Sequence, residues 1–304
     1  MSRVGIIGVG NVGALVAHVI MQKGLARELY LYDKNEAKAV SEMIDLRDAA
    51  AFFSTYTEVK VVTLDKIASC EVVISALGHI GAIDANADRF TEMKLNVPEI
   101  KAVAKELNKH DFFGKMLVIT NPCDAMTDLY FRELDLAEYQ VIGTGTLLDS
   151  ARMMHYVGVE LEVDPRCVSG YVIGEHGDSQ FVAWSTVYVG GRSMIELARK
   201  YRIDLDEIEE KARKSGYLVH SGKGYTNVAI AEATVKILEA LLKDSKSVLP
   251  VSSYNKEHDC FISLPVIVDC EGVEDGFELS LTYEENKKLL KSINEIKEKS
   301  QLFG

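Results

Sequence analysis

Positive charge is in short supply in this chain. Its 304 residues carry 34 Lys and Arg against 46 Asp and Glu, a formal net charge of −12, and a surface of that sign repels phosphate backbones and anionic lipid headgroups. Neither nucleic acid nor membrane is an expected partner. A hydrophobic leader is lacking too: Met1-Ser2-Arg3 runs directly into a short apolar stretch ending at Gly8, far short of a signal peptide's core or a membrane span. The cytoplasm is therefore the expected location. Cysteine amounts to five scattered residues, Cys70, Cys123, Cys167, Cys260 and Cys270. With an odd number, no C-x-x-C pair and no neighbouring histidine at ligand spacing, they read as reduced thiols that mostly pack, and no metal site is expected. No Pro-rich linker, low-complexity tract or internal repeat divides the chain. The length allows two domains, but their boundary has to be read from a change of pattern alone.

That change falls near residue 145. Before it, short apolar runs rich in β-formers alternate with longer helical patterns. The runs are Val4 to Gly8, Leu29 to Asp33, Val59 to Thr63, Val72 to Ala76, Met116 to Thr120 and Gln140 to Ile142. Between them lie stretches such as Val12 to Lys23 and Glu36 to Ala50, whose apolar residues recur every three or four positions. This alternation predicts an α/β class: a doubly wound parallel sheet of the Rossmann type, covered on both faces, over residues 1–145. Over 146–304 the alternation gives way to a mixed α+β pattern, expected to be the substrate or catalytic domain. Helices are expected around Leu147 to Tyr156, Asp204 to Val219, Asn227 to Leu242 and Glu284 to Lys299, and strands over Val168 to Ile173, Val182 to Val189, Ser247 to Tyr254 and Phe261 to Val268.

Gly8-Val9-Gly10-Asn11-Val12-Gly13 follows the first expected strand and opens the first expected helix, the context in which G-x-G-x-x-G binds a dinucleotide. Gly8 permits the tight turn, Gly10 lets the main chain approach a pyrophosphate, and Gly13 allows close packing of helix on strand. Asn11 and Val12 open the helix whose free N–H groups face the anion. The plainer reading is a structural turn. Asp33, at the end of the second strand, can accept hydrogen bonds from ribose hydroxyls and would repel a 2′-phosphate, which favours NAD over NADP. Against this, Lys34 follows directly, and a strand-end Asp is often simply solvated.

Chemistry concentrates in Gly174-Glu175-His176-Gly177-Asp178-Ser179, where one histidine lies close to glycines on either side, and in Leu148-Asp149-Ser150-Ala151-Arg152, where Asp149 and Arg152 stand three apart and project from one face of a helix. An imidazole is the side chain best suited to trade a proton near neutrality. A carboxylate on its other nitrogen would fix the tautomer and stabilise the imidazolium, and a guanidinium matches a substrate carboxylate with two parallel bonds. Taken singly, the same residues read as a surface ion pair and a structural histidine.

Together with Asn121-Pro122-Cys123-Asp124, these strings resemble the L-lactate/malate dehydrogenase family over nearly the whole chain. The resemblance is nearest to its L-2-hydroxyisocaproate dehydrogenase branch, through Gly143-Thr144-Gly145-Thr146-Leu147-Leu148-Asp149, the continuation Gln180-Phe181-Val182-Ala183-Trp184-Ser185-Thr186, and Gly222-Lys223-Gly224-Tyr225-Thr226. It implies an NAD-dependent oxidoreductase of L-2-hydroxy acids and a homo-oligomer, tetramer or dimer. By the same resemblance, His176 is proton acceptor, Asp149 its orienting partner and Arg152 the carboxylate anchor. Arg89 arrives on a mobile loop to polarise the substrate oxygen, Asn121 bonds near the reacting oxygen and nicotinamide, and Thr226 and Ile230 line the pocket and pack on the nicotinamide.

The segment from Gly78 to Arg89 is where such enzymes read the substrate side chain. Gly81 takes the place of the Gln of lactate-type and the Arg of malate-type members, and the segment is two residues longer than the lactate pattern. With no cation from His79 to Asp88, and with Asp84 and Asp88 present, a second substrate carboxylate is disfavoured. The missing side chain leaves room for a larger apolar group. Bulky 2-oxo acids such as 2-oxoisocaproate and phenylpyruvate are therefore expected, with L-lactate dehydrogenase activity as the alternative. Members activated by fructose 1,6-bisphosphate carry cations where this chain has Met154 and Ser169, so no such activation is expected. Two more distant alternatives are an NAD-dependent glycosidase, for which Arg152 would be pointless and Cys167 lacks a His partner, and a non-catalytic dinucleotide sensor.

Overall fold

A computed structural model of the chain describes residues 2–78 and 89–303, leaving aside the side chains of 89–91 and 303. The first half is an alternation of strand and helix: β1 (Arg3–Ile7), α1 (Asn11–Lys23), β2 (Glu28–Tyr32), α2 (Glu36–Ala49), β3 (Glu58–Val61), α3 (Leu64–Ile67), β4 (Val72–Ser75), α4 (Arg89–Lys109), β5 (Lys115–Val118), α5 (Cys123–Glu133) and β6 (Val141–Gly143). The six strands are parallel in the order β3-β2-β1-β4-β5-β6. Strands such as Val72–Ser75 are buried throughout, as parallel strands covered on both faces must be. The order reverses between β1 and β4, and in such sheets the crevice beyond the strand ends at that reversal is where ligands sit.

The second half contains α6 (Leu147–Leu161), β7 (Val168–Ser169), β8 (Val172–Ile173), β9 (Phe181–Val182), β10 (Tyr188–Val189), β11 (Arg192–Ser193), α7 (Met194–Tyr201), α8 (Leu205–Lys223), α9 (Val228–Lys243), β12 (Ser247–Asn255), β13 (Cys260–Val268), β14 (Val273–Glu274) and α10 (Tyr283–Ser300). The long antiparallel pair β12 and β13 attaches to β6 through Ser252 opposite Gly143, and β14 follows on β13, so the sheet runs to nine strands among the described residues. The α/β class and the Rossmann arrangement are as the sequence pattern predicts. Three details differ. The strand expected over 168–173 is two short strands, because Gly170 takes φ +129° between them. The one expected over 182–189 is broken by a single 3-10 turn at Trp184–Thr186. And β12 and β13, expected within the second domain, continue the sheet of the first, with β14 added beyond them.

Among the described residues, the three largest apolar clusters hold these layers. One packs Val16, Ile20 and Leu238 from α1 and α9 on Val4, Ile6 and Leu31 of the sheet. On the opposite face Ile100, Ala104, Met126 and Tyr130 from α4 and α5 meet Ile7, Val73 and Met116. The third lies under α6, α7 and α8, around Met153, Val157, Trp184, Met194 and Ile208. Helix ends obey local chemistry: Gly24, at φ +62°, closes α1 and donates to the carbonyls of Ile20 and Met21, and Thr282 with Glu285 forms a capping box at the start of α10. Among the described residues no helix is long and apolar enough to cross a membrane.

Candidate active site

A cavity of about 940 Å3 opens where the strand order reverses. Gly10, Asn11 and Val12 form one end of it, Asp149, Arg152 and His176 the other, with Asn121, Thr226 and Ile230 on the walls between. Most of the residues singled out in the sequence thus face one space. A second cavity, about 1000 Å3 between β13, β14 and α10, contains none of them.

The glycine turn is shaped for an anion. Gly8 has φ +89°, and a Cβ on Gly13 would stand 2.0 Å from the Gly8 carbonyl oxygen, so that helix and strand close up only because Gly13 has no side chain. A Cβ on Gly10 would meet nothing nearer than Lys38 Nζ at 3.9 Å, which leaves the main chain there open to approach. No side chain caps α1, and its first N–H groups remain to be satisfied by a ligand. Asp33 lies behind the turn, with Oδ2 accepting from Val9 N–H at 3.0 Å and Oδ1 from Asn35 N–H at 2.9 Å. The donor set and the open cradle fit the pyrophosphate of a dinucleotide.

At the other end Asp149 stands in the first turn of α6, 2% exposed. Its Oδ2 is 2.7 Å from His176 Nδ1, and its Oδ1 accepts from Arg152 Nη1 at 2.8 Å. Burial alone would raise the Asp149 carboxyl, but the His176 and Arg152 charges and hydrogen bonds hold it down at about 2. Ser150 stitches α6 to β8, since its hydroxyl accepts from Val172 N–H at 2.9 Å. Two residues after β8 the chain reaches Glu175 and then His176, so this stitch sets helix and histidine at a fixed separation.

The turn that carries His176 is braced from three sides, and none of the braces was identified from sequence. Gly174 bridges to Ser263 of β13 by paired main-chain bonds of 2.9 and 3.1 Å. Asp124, in the first turn of α5, accepts the His176 main-chain N–H on Oδ2 at 2.7 Å. From α10, Ser292 accepts the Glu175 N–H at 2.6 Å, and Lys299 pairs with the buried Glu175 carboxylate, which also accepts from Ser179 at 2.6 Å. Burial pushes Glu175 up, but Lys299 and Ser179 more than offset it and leave the carboxyl lowered. Asp124 goes the other way, pushed up to about 6 by complete burial that Ser252 and the His176 amide only partly offset. Gly216 on α8 is a further residue that sequence reasoning missed: a Cβ there would come within 2.9 Å of Arg152 Nη2.

The remaining candidates divide. The Asn121 carbonyl accepts from Asn96 Nδ2 of α4 at 2.9 Å, and Thr226 and Ile230 stand before and within the first turn of α9. Arg89 is the first residue of α4; its side chain, and the whole of Gly81, lie outside the described residues. Elsewhere Asp244, Asp269 and Cys270 bring ligand-type atoms within 4.8 Å of one another, but Lys246 already places an ammonium 3.5 Å from Asp269. Cys70, Cys123 and Cys260 are buried, as packing thiols should be, whereas Cys167 is exposed and Cys270 half-buried.

Two family models match in tandem, the lactate/malate dehydrogenase NAD binding domain over residues 2–143 and its alpha/beta C-terminal domain over 146–302. The chain is 34% identical over 306 residues to L-lactate dehydrogenase 1 of Bifidobacterium longum, covering 98% of this chain and 96% of that one. It is 32% identical over 305 residues to L-lactate dehydrogenase 2 of Clostridium acetobutylicum, covering 97% and 95%. Among solved structures, the minor L-lactate dehydrogenase from Enterococcus mundtii in its ligands-bound form superposes with a TM-score of 0.94 at 33% identity, over 99% of this chain and 98% of that one. The ligands-unbound form of the same enzyme gives 0.89. None of these names carries the narrower hydroxyisocaproate resemblance.

Proposed function

We propose that this chain, which belongs to the lactate/malate dehydrogenase family and is thus an NAD-dependent oxidoreductase of 2-hydroxy acids, is an L-lactate dehydrogenase that interconverts pyruvate and L-lactate. One observation carries the reading: a single buried carboxylate, Asp149, holds an imidazole on one oxygen and a guanidinium on the other, on the wall of the cavity that the glycine turn also enters. NAD, when bound, accepts or supplies the hydride at its nicotinamide.

The residues then have separate tasks. With Nδ1 committed to Asp149, His176 presents Nε2 to the substrate oxygen, giving a proton as a 2-oxo acid becomes a hydroxy acid and taking it back in reverse. Asp149 stays ionised and steadies the imidazolium. Only Nη1 of Arg152 is given to Asp149, and a guanidinium has five N–H donors, so it can still grip a carboxylate. Asn121 orients groups at the reacting oxygen, Thr226 and Ile230 shape the pocket, and Arg89 polarises the oxygen. At the other end Gly8, Gly10, Asn11, Val12 and Gly13 seat the pyrophosphate, and Asp33 takes the ribose.

A second reading, favouring 2-oxoisocaproate or phenylpyruvate, is supported by Gly81 and the long segment around it, where the sequence has no Gln to restrict the side chain and no cation to attract a second carboxylate. The lactate names of the relatives weigh more. A homo-oligomer is proposed on the exposed Ile44, Leu218 and Val228 of α2, α8 and α9. Met154 is half-buried and Ser169 bonds to the Tyr188 carbonyl, which gives a sugar bisphosphate no cation at either place. Steady-state NADH oxidation with pyruvate, 2-oxoisocaproate, phenylpyruvate and oxaloacetate separates the readings. The highest kcat/KM should belong to pyruvate; a bulky acid in first place establishes the second reading. Tight NADH binding with no turnover of any of them leaves a sensor.

A further inference from the structure

The turn that bears His176 is a poor support by itself. Gly174, two residues before the histidine, has φ +97°, and Gly177 follows His176 directly, and glycine gives main chain freedom rather than position. Asp149 holds the ring but not the Cα to which the ring is attached. Asp124 supplies that hold. Its Oδ2 takes the His176 N–H at 2.7 Å, its Oδ1 faces Ser263 Oγ at 3.4 Å, and it sits three residues after Asn121 at the start of α5. We propose that Asp124 is a positioning residue for proton transfer, fixing the main chain of His176 relative to Asn121 and placing a carboxylate beside the turn that carries the imidazole. This rests on the role given above to His176.

The cost of the arrangement argues for the charge as well as the bond. A fully buried carboxylate is expensive to keep ionised, and an amide could accept the same N–H. A carboxylate adds a field at the imidazolium that an amide lacks. Among the described residues, the titratable groups that act with Asp124 include His176 and Glu175 from the turn, Cys123 beside it on α5 and Cys260 from β13. Both cysteines are pushed well up by burial, so His176 and Glu175 are the neighbours whose charge counts near neutrality.

The test compares Asp124→Asn, Asp124→Ala and His176→Asn in pyruvate reduction, with NADH affinity read by fluorescence and kcat/KM followed against pH. Asp124→Asn keeps the shape and one acceptor; it should hold NADH affinity and pyruvate KM within about twofold, lower kcat about tenfold and move the alkaline limb of the profile to lower pH, since a negative charge beside the imidazolium is gone. Asp124→Ala, if it folds, should lose on the order of 100-fold in kcat, the scale of a misplaced catalytic group. Unchanged kcat and pH profile in Asp124→Asn overturn the proposal. So does a fall in kcat with the limb in place, which marks a packing role. If His176→Asn itself retains turnover, the reading of His176 fails first, and the proposal with it.

Discussion

The two ends of the cavity are made by different means. At the dinucleotide end six consecutive residues, Gly8 to Gly13, do most of the shaping with main chain, and what matters is the side chains they lack: a Cβ on Gly13 would meet the Gly8 oxygen at 2.0 Å. At the reacting end the partners come from distant parts of the chain. Asp149 and His176 are 27 residues apart, Asp124 and His176 52, and Glu175 and Lys299 124, and each contributes a charged or polar side chain. A main-chain site fails sterically and locally, whereas a side-chain site fails one chemical role at a time. Substitutions at the two ends should therefore change different measured constants.

The largest effect belongs to His176→Asn, expected to lower kcat by about 10²–10⁴-fold, the range for removing a general acid or base, with NADH affinity unmoved. A loss of less than tenfold breaks the comparison at once. Next comes Arg152→Lys, which keeps the charge but loses the fork; charge-assisted hydrogen bonds of about 1.5–3 kcal/mol are at stake, so pyruvate KM should rise on the order of 10- to 100-fold while NADH titrates as before. Gly13→Ala should do the reverse. Overpacking costs of about 1–3 kcal/mol should weaken NADH binding and lower the thermal midpoint, with the pyruvate KM at saturating NADH little changed. A Gly13→Ala protein that binds NADH normally would show that helix and strand have room to part.

The narrowest effect lies in pH, since it shows only over part of the acid range. Asp149, at about 2 against an ordinary 3.8, contributes stability that is complete above 3.8 and disappears as pH falls through 2, a difference of about 2 kcal/mol. Asp124 has the opposite sign. Its carboxyl is raised from 3.8 to about 6, so the folded state loses stability as pH rises through that window, by about 3 kcal/mol at most. Urea midpoints should then show Asp124→Asn gaining on the wild type between pH 4 and 6, and Asp149→Asn losing to it at neutral pH. Parallel shifts of the two variants would erase the distinction between a carboxylate kept for its partners and one kept at a cost.

The same contrast explains what could be read in the chain. Alternating apolar runs and the glycine turn are local signals, so β1 to β6 and the dinucleotide end were legible, each strand to within a residue or two. Asp149, Arg152 and His176 were singled out through chemistry and through strings shared with a family, and the structure sets them side by side. The braces were not: Asp124 is one letter in Asn121-Pro122-Cys123-Asp124, and no periodicity says that its carboxylate meets an amide on a distant turn. Two misses had readable signals. Gly170 inside an apolar run marks a break, and Gly190-Gly191, both at positive φ between β10 and β11, is a hairpin turn in plain sequence. That β12 would pair with β6 had no local sign, because strand partnership depends on topology rather than composition. The expectation of a bulky substrate turned on Gly81, which lies outside the described residues.

Because β6 is an interior strand, flanked by β5 on one side and β12 on the other, severing the chain near residue 145 would not release two tidy modules. The first fragment would bare the edge of β6 that Ser252 of β12 covers at Gly143, the sort of edge that recruits stray chains and precipitates. The second would be left with a long hairpin that has lost its neighbour. Anyone grafting this dinucleotide half onto another enzyme should carry β12 and β13 along as a selvage, or weave a substitute for them.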